Sequence, residues 1–295
     1  MNQDPPAELV IDKNLLKNLI SSQFPELSEL ELSFVDEGWD NVNYKLGSQY
    51  LIRLPRRQVA AELIKNEIKF LKRLGPKLPI AIPVPQFIGN ADKEYPWKWT
   101  ISPWFEGETA DLSKLGDEES QSLAYFLKVL HGIKMEDPPS NPHRSCPLSE
   151  KVEALSPRIE RLKKATNFFN SSIERLWNLA LEEDSQELKC LIHGDLHSRN
   201  IVVENEKLKA IIDWGDVCFG DPATDLASLW MLFENNTVRN KALAIYGADT
   251  SLIKRSIGWA IYFAIVLLDT GMNSNPRHAR IGERIFENLA NEPRI

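Results

Sequence analysis

The sequence predicts an α+β chain in two lobes, with an antiparallel-sheet half over residues 1–104 that carries one main helix, and a mostly helical half over residues 105–295. Three observations predict it. Apolar residues alternate with a period of two between Leu30 and Leu54, as in half-buried strands. The period becomes helical from Ala60 to Leu74 and again beyond Leu123. One short run of strand-like segments, Leu191 to Asp213, interrupts the helical half where polar residues concentrate. A length of 295 residues agrees, since domains of ~150 residues give about two units.

In order along the chain, Asp12 caps a first helix whose Leu15, Leu16, Leu19 and Ile20 share a face. Leu30, Leu32 and Phe34 point one way in a strand, and Val42 to Leu46 and Gln49 to Leu54 form two more, joined at Gly47-Ser48. The helix Ala60 to Leu74 ends at the breaker Gly75-Pro76. Prolines 76, 79, 83 and 85 make the next stretch an extended connection. Strands near Gln86 to Gly89 and Trp99 to Trp104 precede the boundary Phe105-Glu106-Gly107, and Leu123, Leu127 and Leu130 open the helical half. Its strands are Leu191 to His193, Ile201 to Val203 and Lys209 to Asp213. The longest apolar run, Ile257 to Leu268, falls short of the ~20 residues of a bilayer span and reads as a buried helix.

Composition excludes several classes. With 43% hydrophobic and 26% charged residues, disorder and collagen-like repeats are excluded. The amino terminus Met1 to Pro6 lacks the basic and apolar stretches of a signal peptide, and Cys146, Cys190 and Cys218 lack a CxxC pair, so the cytoplasm is the expected location. Residues 1–100 hold 13 basic and 13 acidic residues, whereas the remainder holds 22 and 29. The net charge of -7 therefore lies in the second half, which disfavours nucleic acid and suits a cationic small molecule. No membrane partner is expected, and the chain is expected to act as a monomer.

The stretch IHGDLHSRNIVVENEKLKAIIDWGDVCFGDPATD, residues 192–225, gathers His193, Asp195, His197, Asn200, Asp213, Asp216, Asp221 and Asp225. Each alone reads as a turn or cap residue; the set calls for chemistry. A hairpin turning near Asn205-Glu206 brings Asn200 and Asp213 to one end, where an amide oxygen and a carboxylate suit Mg2+ whose other ligands are phosphates. Asp195, five residues before Asn200, stands apart as a proton acceptor or hydroxyl orienter.

HGDLHxxN followed by IDW resembles the aminoglycoside phosphotransferase family, a branch of the protein-kinase-like fold, and Gly220 to Ala227, GDPATDLA, matches it too. The resemblance implies a catalytic base at Asp195, magnesium on Asn200 and Asp213, and Asp225 bracing the catalytic loop. It implies a third-strand cation paired with a helix carboxylate, here Arg53 in place of the commoner lysine, and Glu67. The phosphate-covering loop is then Glu37-Gly38-Trp39-Asp40-Asn41, with Gly38 and Asn41 the candidate contacts, and the purine meets a hinge at Ser102 to Phe105, with Ser102 and Trp104 the candidates. His197 either touches the transferred phosphate or supports its loop. Arg56 and Arg57 read as solvated charge.

The function so implied is transfer of the γ-phosphoryl group of ATP or GTP to a hydroxyl of a small molecule, with an aminoglycoside-like amine as acceptor. Macrolide, choline, homoserine and fructosamine kinases share the motifs and are the alternative, followed by a nucleotide-binding pseudokinase. A metallophosphatase would need a GNH motif, which Gly89-Asn90-Ala91 lacks, and a protein kinase would show an APE segment. The acceptor is expected between the catalytic loop and the segments Ser149 to Glu183 and Ser251 to Leu289. Asp269 and Glu283 are its candidate carboxylates, whereas Trp259, Tyr262 and Phe263 read as core.

Overall fold

The computed structural model describes residues 7–38, 40–183, 189–272 and 274–292. The amino-terminal residues Met1 to Pro6 and Trp39 of the phosphate-covering loop lie outside the described residues. The first helix, α1 (Lys13–Gln23), starts where the Asp12 carboxylate accepts hydrogen bonds from the Asn14 and Leu15 amides at 3.0 and 2.8 Å. Its buried Leu16, Leu19 and Ile20 pack on a sheet of β1 (Leu32–Glu37), β2 (Asn41–Leu46), β3 (Tyr50–Pro55), β4 (Phe87–Gly89) and β5 (Trp99–Pro103). The order is β1-β2-β3-β5-β4 and every pair is antiparallel. Between β3 and β4 runs α2 (Gln58–Leu74), which puts Ala61 into the core of this lobe and Ile64 and Phe70 on its buried face.

Two details differ from the alternation read in the sequence. Leu30 lies outside β1, in a turn where its amide donates to Leu27 O. Phe34 shares the parity of buried Leu32 yet is 60% exposed on the edge strand β1, its ring meeting cross-strand Tyr44 edge-on at 5.5 Å.

The second lobe begins with β6 (Glu108–Thr109), α3 (Glu119–Gly132), α4 (Val152–Ala165) and α5 (Ser171–Glu182). Then come β7 (Cys190–Ile192), β8 (Ile201–Glu204), β9 (Lys207–Ile211) and β10 (Cys218–Gly220). Strands β6, β8 and β9 form one small sheet and β7 pairs with β10. The β8–β9 turn uses Asn205 and Glu206 with φ of 52° and 62°, the primed-turn conformation that matches strand twist. Short helices α6 (Ala223–Leu226) and α7 (Ser228–Leu232) lead to α8 (Asn236–Tyr246), α9 (Thr250–Gly271) and α10 (Pro276–Ala290). Helix α9 carries the long apolar run. At 22 residues it is long and apolar enough to cross a bilayer, but it is the core helix of this lobe, packed against α4, α5, α6 and α10.

Candidate active site

The site is assembled where the β7–β8 loop, the segment after β9 and the strand β3 meet. Asp225 organises the loop from below. Its fully buried carboxylate accepts from the His193 and Gly194 amides at 2.7 and 2.9 Å, and His131 Nε2 lies 3.2 Å away. Burial works against its charge, but His131 foremost, with His193 and the Gly194 amide, holds its carboxyl below the usual range. Gly194 has φ +85°, and a Cβ there would come within 2.7 Å of Asp216 O, so only glycine fits the turn. His193 Nε2 meets Ile212 O at 3.0 Å and its ring lies 4.7 Å from Trp214, which makes it a brace.

Asp195 follows, one quarter exposed at its side chain. Its Oδ1 accepts from Arg144 Nη2 at 2.7 Å; among the described residues Oδ2 has only longer neighbours, Asn200 Nδ2 at 3.4 Å and His197 Nε2 at 3.5 Å. Burial opposes its ionisation, yet Arg144 first and His197 next hold the carboxyl well below the usual carboxylate range. His197 Nδ1 accepts from the Arg199 amide at 3.2 Å, so the ring hydrogen sits on Nε2, facing Asp195.

Asn200 and Asp213 flank one end of the β8–β9 hairpin, where the Ile212 amide donates to Asn200 O at 2.9 Å. The Asn200 amide nitrogen is spent on Asp195 O at 2.8 Å, which leaves its Oδ1 as the free donor atom. Asp213 has φ +61°, a conformation that costs a non-glycine residue about 1–2 kcal/mol. The fully buried Trp214, its Nε1 donating to Ile211 O at 2.9 Å, anchors the segment, while the Asp213 side chain is 53% exposed. One amide oxygen and one carboxylate at a solvent-facing edge are a hard-oxygen pair that fits a magnesium ion sharing phosphate and water ligands. Among the described residues no group of three or more His, Cys, Asp or Glu forms a metal cage.

Arg53, within β3, spans the two lobes. Its Nη1 donates to both Glu67 oxygens at 2.9 and 2.8 Å, and its Nη2 donates to Asp213 Oδ1 at 2.9 Å. The planar fork thus reaches the helix carboxylate and the metal-side carboxylate at once, which an ammonium does less readily. Burial pushes the Glu67 carboxyl up to about 7 against the pull of Arg53. Burial alone would weaken the charge of Arg53, but Glu67 and Asp213 outweigh it.

The β1–β2 loop is held by residues read in the sequence as solvated charge, and here the structure corrects that reading. Arg56 Nη1 donates to Gly38 O at 2.9 Å, its Nη2 lies 2.7 Å from Glu37, and its amide donates to Asp40 O at 2.9 Å; Arg57 Nη2 donates to Asp40 Oδ1 at 2.6 Å. Within the loop the Gly38 amide donates to Asn41 O at 2.9 Å. Burial foremost, with Asp213 and Asp216 adding, raises the Asp40 carboxyl. Ser102 is buried on β5, and Trp104, just past the strand, donates its amide to Gln49 O at 2.7 Å while its indole carries Lys45 Nζ at 4.4 Å.

A second correction concerns Asp269, expected to face an acceptor. It is buried at 3% exposure on α9 and pinned to α4, accepting from Arg158 Nη1 and from Arg161 Nε and Nη2 at 2.7 Å each. Its charge is spent between two helices. Glu283 is half-buried on α10, and Trp259 and Phe263 are core residues as read. Sequence reasoning missed Arg144 and the contact of His131 with Asp225, since both arrive from segments more than 50 residues away and carry no local motif. From α10, His278 Nε2 accepts from Arg199 of the β7–β8 loop at 2.6 Å; burial and that arginine push its pKa down to about 4.

A two-lobed fold with a cation–carboxylate pair on the sheet lobe and an Asp, Asn, Asp set on the helical lobe defines a phosphoryl-transfer architecture. The chain belongs to the phosphotransferase enzyme family, whose model matches residues 31–256. Among curated relatives, the aminoglycoside 3'-phosphotransferase of Salmonella typhimurium is 30% identical over 146 residues, 45% of this chain and 51% of the relative, so the match spans about half the relative's length. Among solved structures, the GDP complex of aminoglycoside 2'-phosphotransferase-IIIa is similar with a TM-score of 0.69 at 21% identity, covering 95% of this chain and 99% of that one. The apoenzyme of a macrolide 2'-phosphotransferase from Brachybacterium faecium is similar with a TM-score of 0.62 at 19% identity, covering 96% and 98%.

Proposed function

We propose that the chain transfers the γ-phosphoryl group of ATP or GTP to a hydroxyl of a small molecule in the cytoplasm, and that the acceptor is aminated and aminoglycoside-like. The observation that carries this reading is the meeting of Arg53, Glu67 and Asp213 across the two lobes beside Asp195 and Asn200. On this reading residues 1–104 bind the nucleotide, through the loop at Gly38 and Asn41 and the hinge at Ser102 and Trp104, and residues 105–295 supply the catalytic loop and acceptor site. Asn200 Oδ1 and Asp213 would hold Mg2+. When bound there, the ion would draw negative charge from the phosphate oxygens.

Asp195 Oδ2 accepts the acceptor's hydroxyl hydrogen and aims its oxygen at the γ-phosphorus. The new O–P bond forms as the bond to the β-phosphate oxygen breaks, the proton passes to Asp195, and the nucleoside diphosphate leaves. A carboxylate held so far toward its ionised form is a weak base, so it orients the hydroxyl first and takes the proton late. His197, held by the Arg199 amide, supports the loop and orients Asp195.

The relatives named above are aminoglycoside and macrolide enzymes, and the acidic surplus of the second half favours the aminated class. A panel of aminoglycoside, macrolide, choline, homoserine and fructosamine acceptors scored for nucleoside diphosphate release tests the reading. Asp195→Ala should lower turnover by ~10²-fold or more and leave nucleotide binding nearly unchanged. Near-normal turnover in that variant would remove Asp195 from the mechanism.

A further inference from the structure

We propose that Arg144 is a positioning residue for phosphoryl transfer, clamping Asp195 to Asp216 so that Asp195 offers a single oxygen, Oδ2, to the acceptor hydroxyl. The proposal rests on the function proposed above and adds to it a residue from a separate loop. Arg144 Nη2 donates to Asp195 Oδ1 at 2.7 Å and its Nε donates to Asp216 Oδ2 at 3.0 Å. Asp216 is itself fixed, its Oδ1 accepting from Asn141 Nδ2 at 2.7 Å. The fork therefore cannot follow Asp195 if that side chain rotates; it holds it.

The loop that delivers Arg144 is built for this. Asn141 shapes a tight turn in which its side-chain oxygen accepts from the His143 amide at 2.8 Å and its carbonyl accepts from the Arg144 and Ser145 amides at 3.0 and 2.7 Å. The guanidinium carbon of Arg144 lies over the Phe263 ring, 5.4 Å from its centroid, so α9 backs the clamp. A glycine makes room for the loop's backbone: a Cβ at Gly220 would lie 3.0 Å from Arg144 O. The side chain is 14% exposed, which limits competition from water for its two carboxylates. With Oδ1 engaged and Oδ2 having, among the described residues, only partners at 3.4 Å or beyond, the open oxygen is defined before an acceptor arrives. One guanidinium between two carboxylates also leaves the cluster one negative charge in excess, compatible with an aminated acceptor.

The test uses the full chain with magnesium and ATP or GTP, kanamycin as probe acceptor, and water as the acceptor in its absence. Arg144→Ala should lower kcat by about 10²-fold, with the nucleotide KM within about 2-fold of the parent, since the lost interaction serves the transition state. Added guanidinium ion should restore part of the rate to Arg144→Ala and none to Asp195→Ala, a rescue that a merely structural role would not produce. Unchanged or faster turnover in the folded variant overturns the role of Arg144, as does a loss that appears in nucleotide KM with kcat intact. If Arg144→Ala does not fold, Arg144→Lys and Asp216→Asn take its place. Each should lower kcat about 10-fold, and together they should fall well short of the product of the two losses, as members of one network; full additivity overturns the clamp. A parent chain that releases no nucleoside diphosphate under any of these conditions overturns the proposed function and the clamp together, whereas an active parent indifferent to Arg144 overturns the clamp alone.

Discussion

At the residue scale the arginine at position 53 is the departure with the clearest consequence. Its two carboxylate partners come from α2 and from the segment after β9, so removing it leaves Glu67 buried without a cation. Arg53→Met should cost about 3 kcal/mol, the scale for breaking a buried pair on one side. The pH dependence follows from the Glu67 carboxyl, raised by burial to about 7 even with Arg53 present. A carboxyl with a raised folded pKa binds more protons folded than unfolded, so its contribution to stability declines as pH rises from about 4.5 through the folded value. In the parent that decline ends near 7; in the variant the pKa rises further and the decline continues above it. Thermal melts at pH 7 and 9 check this, and an equal stability deficit at the two values would contradict it. For the metal pair, Asp213→Ala should abolish the magnesium dependence of nucleotide binding, measured by titration with and without the ion; unchanged dependence would contradict the assignment.

At the element scale, the strands and helices followed local patterns closely where a capping or breaking residue marked them. Asp12 marks the start of α1, Gly75-Pro76 the end of α2, and Asn205-Glu206 the turn of β8–β9. The departures occur where packing overrules pattern, as at Phe34 on the edge strand β1 and at Asp269, whose carboxylate joins α4 to α9. Helices α9 and α10 approach so closely that a Cβ on Gly282 would fall 2.7 Å from the Leu268 amide nitrogen and 2.8 Å from Ala264 O. Backbone cannot yield as a flexible side chain does. Gly282→Ala should therefore destabilise the second lobe by about 2 kcal/mol despite its better helix propensity, read as a lower denaturation midpoint. An unchanged or higher midpoint would mean that the two helices can separate without loss.

At the scale of the whole molecule, the acidic surplus belongs to residues 101–295, the half in which the acceptor is proposed to bind. With Asp269 neutralised by two arginines, attraction for a cationic acceptor must come from exposed carboxylates acting over partly solvated distances. Such attraction is screened within ~8 to 10 Å at physiological ionic strength. The acceptor KM should thus rise clearly with added salt, while the nucleotide KM, corrected for free magnesium, changes less. Salt-independent acceptor kinetics would remove the aminated class and leave phosphoryl transfer standing.

The residues read in order suffice for the two-lobed architecture, the hairpin that brings Asn200 and Asp213 to one end, and the apolar character of α9, because each depends on periodicity, turn chemistry or short-range spacing. The family motifs point to Asp195 for the same reason, lying within one loop and its hairpin. Tertiary structure alone decides that Arg53 bridges Glu67 and Asp213, that Arg56 and Arg57 hold the β1–β2 loop, and that Arg144 reaches Asp195 from 51 residues away. Charged side chains carry no periodic signature of their partners. An arginine on a strand end or in a turn looks alike in sequence whether it meets water or a carboxylate, and burial, which makes those pairs strong and specific, exists only once distant segments have packed.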